Sequence, residues 1–218
     1  MKREAPNDVL VTGFSPFAGE MVNPSWQVAR ALDGAIIAGH RVSALELPTE
    51  FAASIAMLRA TLRRQQPRVV VAAGLAGGRE GISLERVAIN VIDARIPDNA
   101  GAQPVDVPVV RRAAPAYFSS LPIKAALAAL QREDIPAHVS QTAGTYVCNA
   151  LFYALMHAAK RHRGMRAGFV HVPWLPDQAR RHAQPGMPLE QMMRALETVI
   201  RTALSVRTDA RTSAGPES

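Results

Sequence analysis

Two nearly continuous apolar runs constrain the fold of this chain more than any other feature. Residues 9–14 read VLVTGF and residues 68–75 read RVVVAAGL, with little of the polar alternation of a half-exposed strand. Such runs are typical of strands that are covered on both faces. Helix-length segments separate them from further strand-like runs, so we predict a mostly parallel sheet with helices on both faces.

The remaining elements follow from apolar periodicity and from turn residues. We predict helices starting after Asn23 and covering 49–65, 121–133, 146–161 and 188–206, and further strands at 42–47, 137–141 and 167–172. Residues 76–116 are rich in glycine and proline, and their alternating segments 86–92 and 105–110 predict a hairpin excursion. We expect a single domain over residues 1–206 and a disordered tail over 207–218, which has no core-forming pattern.

Composition argues against several classes of function. The net charge is +7, but the basic residues are scattered as pairs, and aromatic residues make up only 5% of the chain. This pattern favours a solvated basic surface over nucleic-acid binding. No apolar run is long enough to span a membrane, and no apolar segment of the signal-peptide kind follows MKREAPND. With a single cysteine there is no intrachain disulfide, so we expect a cytoplasmic protein.

The single cysteine, Cys148, lies in the stretch AGTYVCNALFY. It follows a predicted strand and the turn at Gly144, with a possible helix cap at Thr145, and so falls in the first turn of a helix. The N–H groups and the dipole at a helix N-terminus lower the pKa of a thiol and can face an oxyanion. A buried core cysteine is the alternative, but this position favours a nucleophile.

His171 ends the last predicted strand, in GFVHVPWLPDQ. Strand 137–141, the helix of Cys148 and strand 167–172 read as one βαβ unit, which would bring Cys148 and His171 to the same edge of the sheet. A Cys–His pair is the usual arrangement for activating a thiol. Composition does not decide which carboxylate orients the imidazole, and the four candidates are Glu80, Glu85, Asp93 and Asp98.

Other site motifs are missing from the sequence. We find no zinc-ligand spacing, no P-loop, no complete GxGxxG after a strand and no GxSxG elbow. By elimination, a thiol-based hydrolase is the best-supported interpretation. The alternatives are a binding protein that kept the fold and lost the chemistry, an enzyme like nucleoside phosphorylases or peptidyl-tRNA hydrolases, and a nucleic-acid-binding protein.

Four stretches taken together resemble the pyrrolidone-carboxylate peptidase family, also called pyroglutamyl peptidase type I. They are VTGFSPFAGEMVNPSWQVARAL, GLAGGREGISLERVAINVIDARIPDN, AGTYVCNALFY and GFVHVPWLPDQ, in the family's order. The resemblance implies a three-layer α/β/α sandwich with an open, twisted sheet, and commonly a cytosolic homotetramer. It also implies a thiol protease that removes N-terminal pyroglutamate from peptides, through a thioester and with no metal or cofactor.

The resemblance also implies roles for individual residues. The triad would be Cys148, His171 and Glu85, with Arg95 helping to hold the oxyanion. The pocket for the lactam ring would be formed by Phe14, Phe17, Thr49, Ile96, Tyr146 and Val147. Two positions depart from the family pattern: Leu75 stands where many relatives carry Gln, and Tyr146 stands where Phe is usual.

Overall fold

A computed structural model describes residues 8–162 and 164–215 of the chain. The strands are β1 (Val9–Phe14), β2 (Ile36–Ile37), β3 (His40–Leu47), β4 (Val69–Leu75), β5 (Ile82–Glu85), β6 (Val87–Ile89), β7 (Ala116–Phe118), β8 (Ala137–Ser140) and β9 (Arg166–Val172). The helices are α1 (Pro24–Ala31), α2 (Phe51–Gln65), α3 (Ile123–Arg132), α4 (Val147–Ala159), α5 (Pro176–His182) and α6 (Leu189–Ser205).

Seven of these strands form one sheet in the order β2-β3-β1-β4-β9-β5-β8. Strands β3, β1, β4 and β9 run parallel to one another and form its centre. The short β2 is antiparallel to β3, whereas β5 is antiparallel to β9 and parallel to β8. The predicted α/β fold with a mostly parallel sheet is therefore confirmed. The apolar runs at 9–14 and 68–75 are the adjacent central strands β1 and β4, and nearly all of their residues are buried.

Helices cover both faces of the sheet and form two separate cores. On one face, residues of α1, α3 and α6 pack against inward side chains such as Val11, Val71 and Val170. On the other face, α2 and α4 pack against the alternate residues, among them Val70, Ala72 and Phe169. Among the described residues, no helix combines the length and the apolar character needed to cross a bilayer.

The segment after β4 differs from its predicted arrangement. The alternating pattern at 86–92 belongs only in part to a strand, β6, which pairs antiparallel with β7 in a separate two-stranded sheet. The preceding residues Ile82–Glu85 form β5 in the main sheet, and the predicted strand at 105–110 is reduced to a single bridge between Ile92 and Val107. A hairpin excursion is present, but it joins β6 to β7. Helix α5 was not predicted.

The predicted βαβ unit around α4 is wrong in one respect. Strand β8 is parallel to β5, which is antiparallel to β9, so β8 and β9 run in opposite directions. Cys148 and His171 are still brought to the same edge of the sheet, because α4 packs on β9 and leads into it through a short connection. The helix and the strand therefore run in opposite directions, and the start of α4 lies at the end of β9.

Asn149 attaches the start of α4 to the excursion. Its fully buried side-chain amide accepts from the Ile89 N–H and donates to the Ile89 and Val91 carbonyls, at 2.9–3.0 Å. These bonds satisfy backbone groups at the end of β6 and in the residues that follow it. They also fix the loop that follows Val91 relative to Cys148, the preceding residue of α4.

The predicted disordered tail, 207–218, lies only partly within the described residues, which end at Gly215. From 207 to 215 there is no helix or strand. Within this segment the Asp209 carboxylate accepts from the N–H groups of Lys124 and Ala125, at 3.2 and 2.9 Å. A carboxylate is a favourable partner for the exposed N–H groups at the start of a helix, here α3.

Candidate active site

His171, on β9, lies on the face of the sheet that α4 covers. It is directly paired with Gly74 of β4, and residues paired in this way point to the same face. A Cβ atom added to Gly74 would lie 2.9 Å from the Cys148 sulfur and 2.8 Å from the Phe169 ring. The Phe169 ring in turn packs on the His171 ring, with centroids 4.9 Å apart. The absence of a side chain at Gly74 thus leaves the space that the Cys148 sulfur occupies, over the strand position that is paired with His171.

Glu85 approaches the same imidazole from the neighbouring strand, β5. Its Oε1 atom lies 2.7 Å from Nδ1 of His171, and the carboxylate is fully buried. Arg79, in the loop after β4, donates from Nη1 to the same oxygen at 2.8 Å. Of the four candidate carboxylates, Glu85 is therefore the one in contact with His171.

Glu85 is held in its charged form by these partners. Burial by itself would raise the pKa of the carboxyl group, but the hydrogen bond and the charge of His171, with smaller contributions from Ser140 and Arg79, outweigh it and lower the pKa. Ser140 is paired with Glu85 in the β5–β8 ladder, and its hydroxyl donates to the Thr142 carbonyl at 3.0 Å. Oε2 of Glu85 consequently has no hydrogen-bond partner among the described residues.

The other three carboxylates do not contact His171. Asp98 is buried but caps backbone groups, accepting from the N–H groups of Phe51, Ala100 and Ala102 at 2.8–2.9 Å. Glu80 and Asp93 are exposed. Asp98 thus joins the turn that follows it, residues 98–102, to the start of α2.

Cys148 is the second residue of α4, as predicted, but the helix start differs in detail. The cap position is Tyr146, which makes no side-chain capping bond, and the Thr145 hydroxyl donates to the Asp93 carbonyl instead. The N–H groups of the first turn therefore remain free of a side-chain cap. Such a helix start can receive a negative charge.

The pKa of the Cys148 thiol is raised, which contradicts the sequence-based expectation. Burial and the negative charge of Glu85 raise it to about 12, whereas Arg79 and the Cys148 backbone N–H lower it by less. The residue is partly exposed, but its sulfur is held between α4 and the sheet. At neutral pH the resting sulfur is therefore a neutral thiol and not a preformed thiolate.

Aromatic side chains lie next to Cys148. The Tyr146 ring is 5.3 Å from the Phe51 ring in an edge-to-face arrangement and 6.5 Å from the Phe17 ring. Phe51 was not among the residues predicted for the site, since its apolar spacing indicated only a core position. Phe14 is buried in the same apolar core as Phe51, at the end of β1.

The remaining predicted pocket residues differ in exposure. Thr49 and Val147 are buried, and the Thr49 hydroxyl donates to the Ser15 carbonyl at 2.8 Å. Ile96 is 48% exposed, and its neighbour Arg95 is also exposed. Within residues 8–162 and 164–215, Arg95 makes no side-chain hydrogen bond or ion pair, and its role at the oxyanion stays a prediction.

No group of three or more His, Cys, Asp or Glu side chains in the described part of the chain is arranged to hold a metal ion. The site is thus a thiol, an imidazole, a carboxylate and a guanidinium beside an aromatic cluster. This combination suits nucleophilic attack on a carbonyl carbon.

Comparison with known proteins agrees with this chemistry. The family model described as pyroglutamyl peptidase matches residues 7–206. The chain belongs to the pyroglutamyl peptidase family. Its expected class, a cysteine hydrolase of the pyroglutamyl peptidase type, is thereby confirmed.

Individual members of the family match over almost their whole length. The pyrrolidone-carboxylate peptidase of Klebsiella pneumoniae (strain 342) is 53% identical over 208 residues, which cover 95% of this chain and 97% of that protein. The crystal structure of pyroglutamyl peptidase I from Bacillus amyloliquefaciens superposes with a TM-score of 0.93 at 42% identity, covering 95% of this chain and all of that one. A mutant pyrrolidone carboxyl peptidase from Pyrococcus furiosus gives a TM-score of 0.87 at 41% identity, covering 90% and 97% of the two chains.

The two departures from the family pattern have local consequences. The Tyr146 hydroxyl, absent from a phenylalanine, donates to the Pro97 carbonyl at 3.0 Å and ties the start of α4 to the loop of Arg95 and Ile96. Leu75 ends β4 and is half-buried, so this chain presents an apolar side chain there.

Proposed function

We propose that the protein hydrolyses the bond between an N-terminal pyroglutamyl (5-oxoprolyl) residue and the rest of a peptide, using Cys148, His171 and Glu85 as a triad. The observation that supports this best is the buried 2.7 Å contact between His171 and Glu85. His171 occupies the strand position that is paired with Gly74, and the Cys148 sulfur lies over Gly74. Membership in the pyroglutamyl peptidase family supports the choice of substrate.

The contact between His171 and Glu85 determines which imidazole nitrogen can act as a base. An ionised carboxylate only accepts hydrogen bonds, so Nδ1 of His171 must carry the proton in this contact. Nε2 then has a free lone pair and can take the proton of the Cys148 thiol. Glu85 stabilises the imidazolium that forms, as a triad acid does elsewhere.

The raised pKa of Cys148 determines the order of events. Because the resting group is a thiol, the proton passes to Nε2 of His171 as the sulfur attacks the pyroglutamyl carbonyl. The S–C bond forms, and the tetrahedral intermediate then expels the peptide amine, which takes the proton from His171. Water, activated by the same imidazole, hydrolyses the thioester to pyroglutamate and regenerates the thiol.

The oxyanion of this intermediate needs donors at the start of α4. The helix has no side-chain cap, so the backbone N–H of Cys148 is available, and the helix dipole favours the negative charge. We propose that Arg95 adds a second donor. Its side chain is exposed and makes no hydrogen bond or ion pair within the described part of the chain, so its guanidinium is free to bind a substrate oxygen.

The lactam ring would bind among the aromatic and apolar groups beside Cys148. Phe17 and Tyr146 offer ring faces, and Phe14, Thr49, Ile96 and Val147 complete the proposed pocket. A five-membered lactam has one N–H and one C=O, so an apolar wall with a few polar groups suffices for its recognition. A free N-terminal amino group would bring a charge into this wall and is expected to be rejected.

Turnover of a fluorogenic pyroglutamyl amide tests the proposed function. The reduced protein should release the fluorescent amine, and it should not release it from the matching prolyl amide, which lacks the ring carbonyl and carries a charge. Iodoacetamide should abolish the release, since Cys148 is the only cysteine available to it. A protein that leaves the pyroglutamyl amide uncleaved, or that is insensitive to the reagent, would contradict the proposal.

Gly74→Ala should lower kcat/KM about 100-fold, because the added Cβ would force the Cys148 sulfur from its position. Gly168→Ala, on β9, is the matched control. Its Cβ would be tighter still, at 2.4 Å from the Ser119 hydroxyl and 2.6 Å from Leu121, but away from the sulfur. Thermal unfolding should show a loss of stability in both variants. Equal losses of kcat/KM per folded molecule in the two variants would contradict the claim that the missing side chain at Gly74 positions the Cys148 sulfur.

A cytoplasmic location and a homotetramer, both implied by the family resemblance, stay predictions. Sedimentation of the purified protein measures the second directly. The alternative of an inactive binding protein is disfavoured, because the thiol, the imidazole and the buried carboxylate are all retained.

A further inference from the structure

Arg79 is the partner of Glu85 that the proposed mechanism does not use. Its Nη1 atom shares Oε1 of Glu85 with His171, at 2.8 Å against 2.7 Å. Its Nη2 atom reaches the Thr142 carbonyl at 3.4 Å, in the loop that leads to α4. Arg79 therefore joins the triad acid to the segment that precedes Cys148.

We propose that Arg79 is a positioning residue that holds Glu85 against His171 and sets the pH range in which the pair is active. This inference rests on the proposed function, and it assigns to Arg79 no contact with the substrate.

Holding Glu85 in position requires a partner such as Arg79. The carboxylate is fully buried and its Oε2 atom has no hydrogen bond among the described residues, so His171 and Arg79 on Oε1 are the side chains that hold it. A guanidinium on Oε1 opposes displacement of the carboxylate from His171, because a charge-assisted hydrogen bond is roughly twice as strong as a neutral one. Without Arg79, the His171 contact alone would hold the carboxylate in place.

The charges around the pair determine the direction of the pH effect. Arg79 faces Glu85 from the loop after β4, Cys148 faces it from α4, and His138 lies on β8, bonded to the Ser83 hydroxyl. Burial, and then Arg79, lower the pKa of His138, so His138 is neutral near pH 7. The permanent positive charge beside Glu85 and His171 is therefore that of Arg79.

This positive charge opposes protonation of Glu85, because the hydrogen bond from Arg79 helps to lower the pKa of that carboxyl group. Without Arg79, Glu85 would take up a proton at a higher pH and would lose the charge that it presents to His171. The acid limb of the kcat/KM profile would then move to higher pH.

The test compares Arg79→Gln with Arg79→Lys and with Arg64→Gln, an exposed arginine on α2 whose replacement changes the net charge equally. For Arg79→Gln we expect the acid limb to rise by about one pH unit, so that the loss of kcat/KM is about tenfold greater at low pH than above the limb. Arg79→Lys should return the limb close to its wild-type position, and Arg64→Gln should leave it there. The position of the limb does not depend on the fraction of folded enzyme, so poor folding does not imitate the effect.

A second readout needs no turnover and therefore separates failure of this inference from failure of the proposed function. Since Arg79 lowers the pKa of Cys148, its removal should slow iodoacetamide alkylation at pH 8 about threefold or more, whereas Arg64→Gln should not. An unmoved acid limb in an active Arg79→Gln variant would overturn the inference. So would an alkylation rate equal to that of the wild type, or an Arg79→Lys variant as impaired as Arg79→Gln.

Discussion

Cys148→Ala is expected to lower kcat/KM on a pyroglutamyl amide by about 10⁴-fold or more, because no other group can take the place of the sulfur. Cys148→Ser should be nearly as inactive. A hydroxyl is a weaker nucleophile with a much higher pKa, and its shorter bond draws the oxygen back from the carbonyl. Steady-state rates with active-site titration of the wild type measure both losses.

The control for these variants is their stability. The sulfur lies against the space above Gly74, and its removal leaves a void no larger than one atom. We therefore expect unfolding midpoints within a few degrees of the wild type, corresponding to about 1 kcal/mol or less. A Cys148→Ala variant that is folded and still cleaves the substrate at more than a hundredth of the wild-type rate would remove Cys148 from the mechanism.

The central sheet could be predicted because its strands carry their own signal. The apolar runs at 9–14 and 68–75 are the strands β1 and β4, buried on both faces. Strand β5 carries no such signal, because ISLE is a four-residue segment between a glycine-rich loop and a second strand. Its place between β8 and β9 depends on distant pairing partners, which a local pattern does not show.

The candidate site shows the same division between local and distant information. The position of Cys148 at a helix start could be predicted from Gly144 and from the apolar run that follows. The choice of Glu85 among four carboxylates could not, because it depends on the β5–β9 pairing that sets this residue beside His171. Arg79 was missed for the same reason, since a lone arginine in a glycine-rich loop has no distinctive spacing.

The pKa of Cys148 is the clearest case in which position in the sequence misleads. A helix start lowers the pKa of a thiol, and the sequence shows this effect alone. Burial of the sulfur and the charge of Glu85 act in the opposite direction and are larger, raising the pKa to about 12. Both depend on tertiary packing. The enzyme is consequently expected to depend on its general base for every turnover.

That dependence gives the second large prediction, a ranking of the variants of the base and of its partner. His171→Ala should lower kcat/KM by about 10⁴-fold, close to the loss in Cys148→Ala, because a thiol with a raised pKa gives almost no thiolate at neutral pH without a base. Combining the two substitutions should add little, since the sulfur and the imidazole act as a unit. A fully additive double variant would mean that they act in separate steps.

Glu85→Gln should be milder than either, with a loss of about 10²- to 10³-fold in kcat/KM. The amide keeps the shape of the carboxyl group and can still accept from Nδ1 of His171, but it carries no charge to stabilise the imidazolium, and Arg79 loses its ion-pair partner. Glu80→Gln, at an exposed carboxylate in the preceding loop, is the matched control and should be silent. If Glu85→Gln were as inactive as His171→Ala, the carboxylate would have to do more than orient and stabilise the imidazole, since these two effects alone leave the base itself in place.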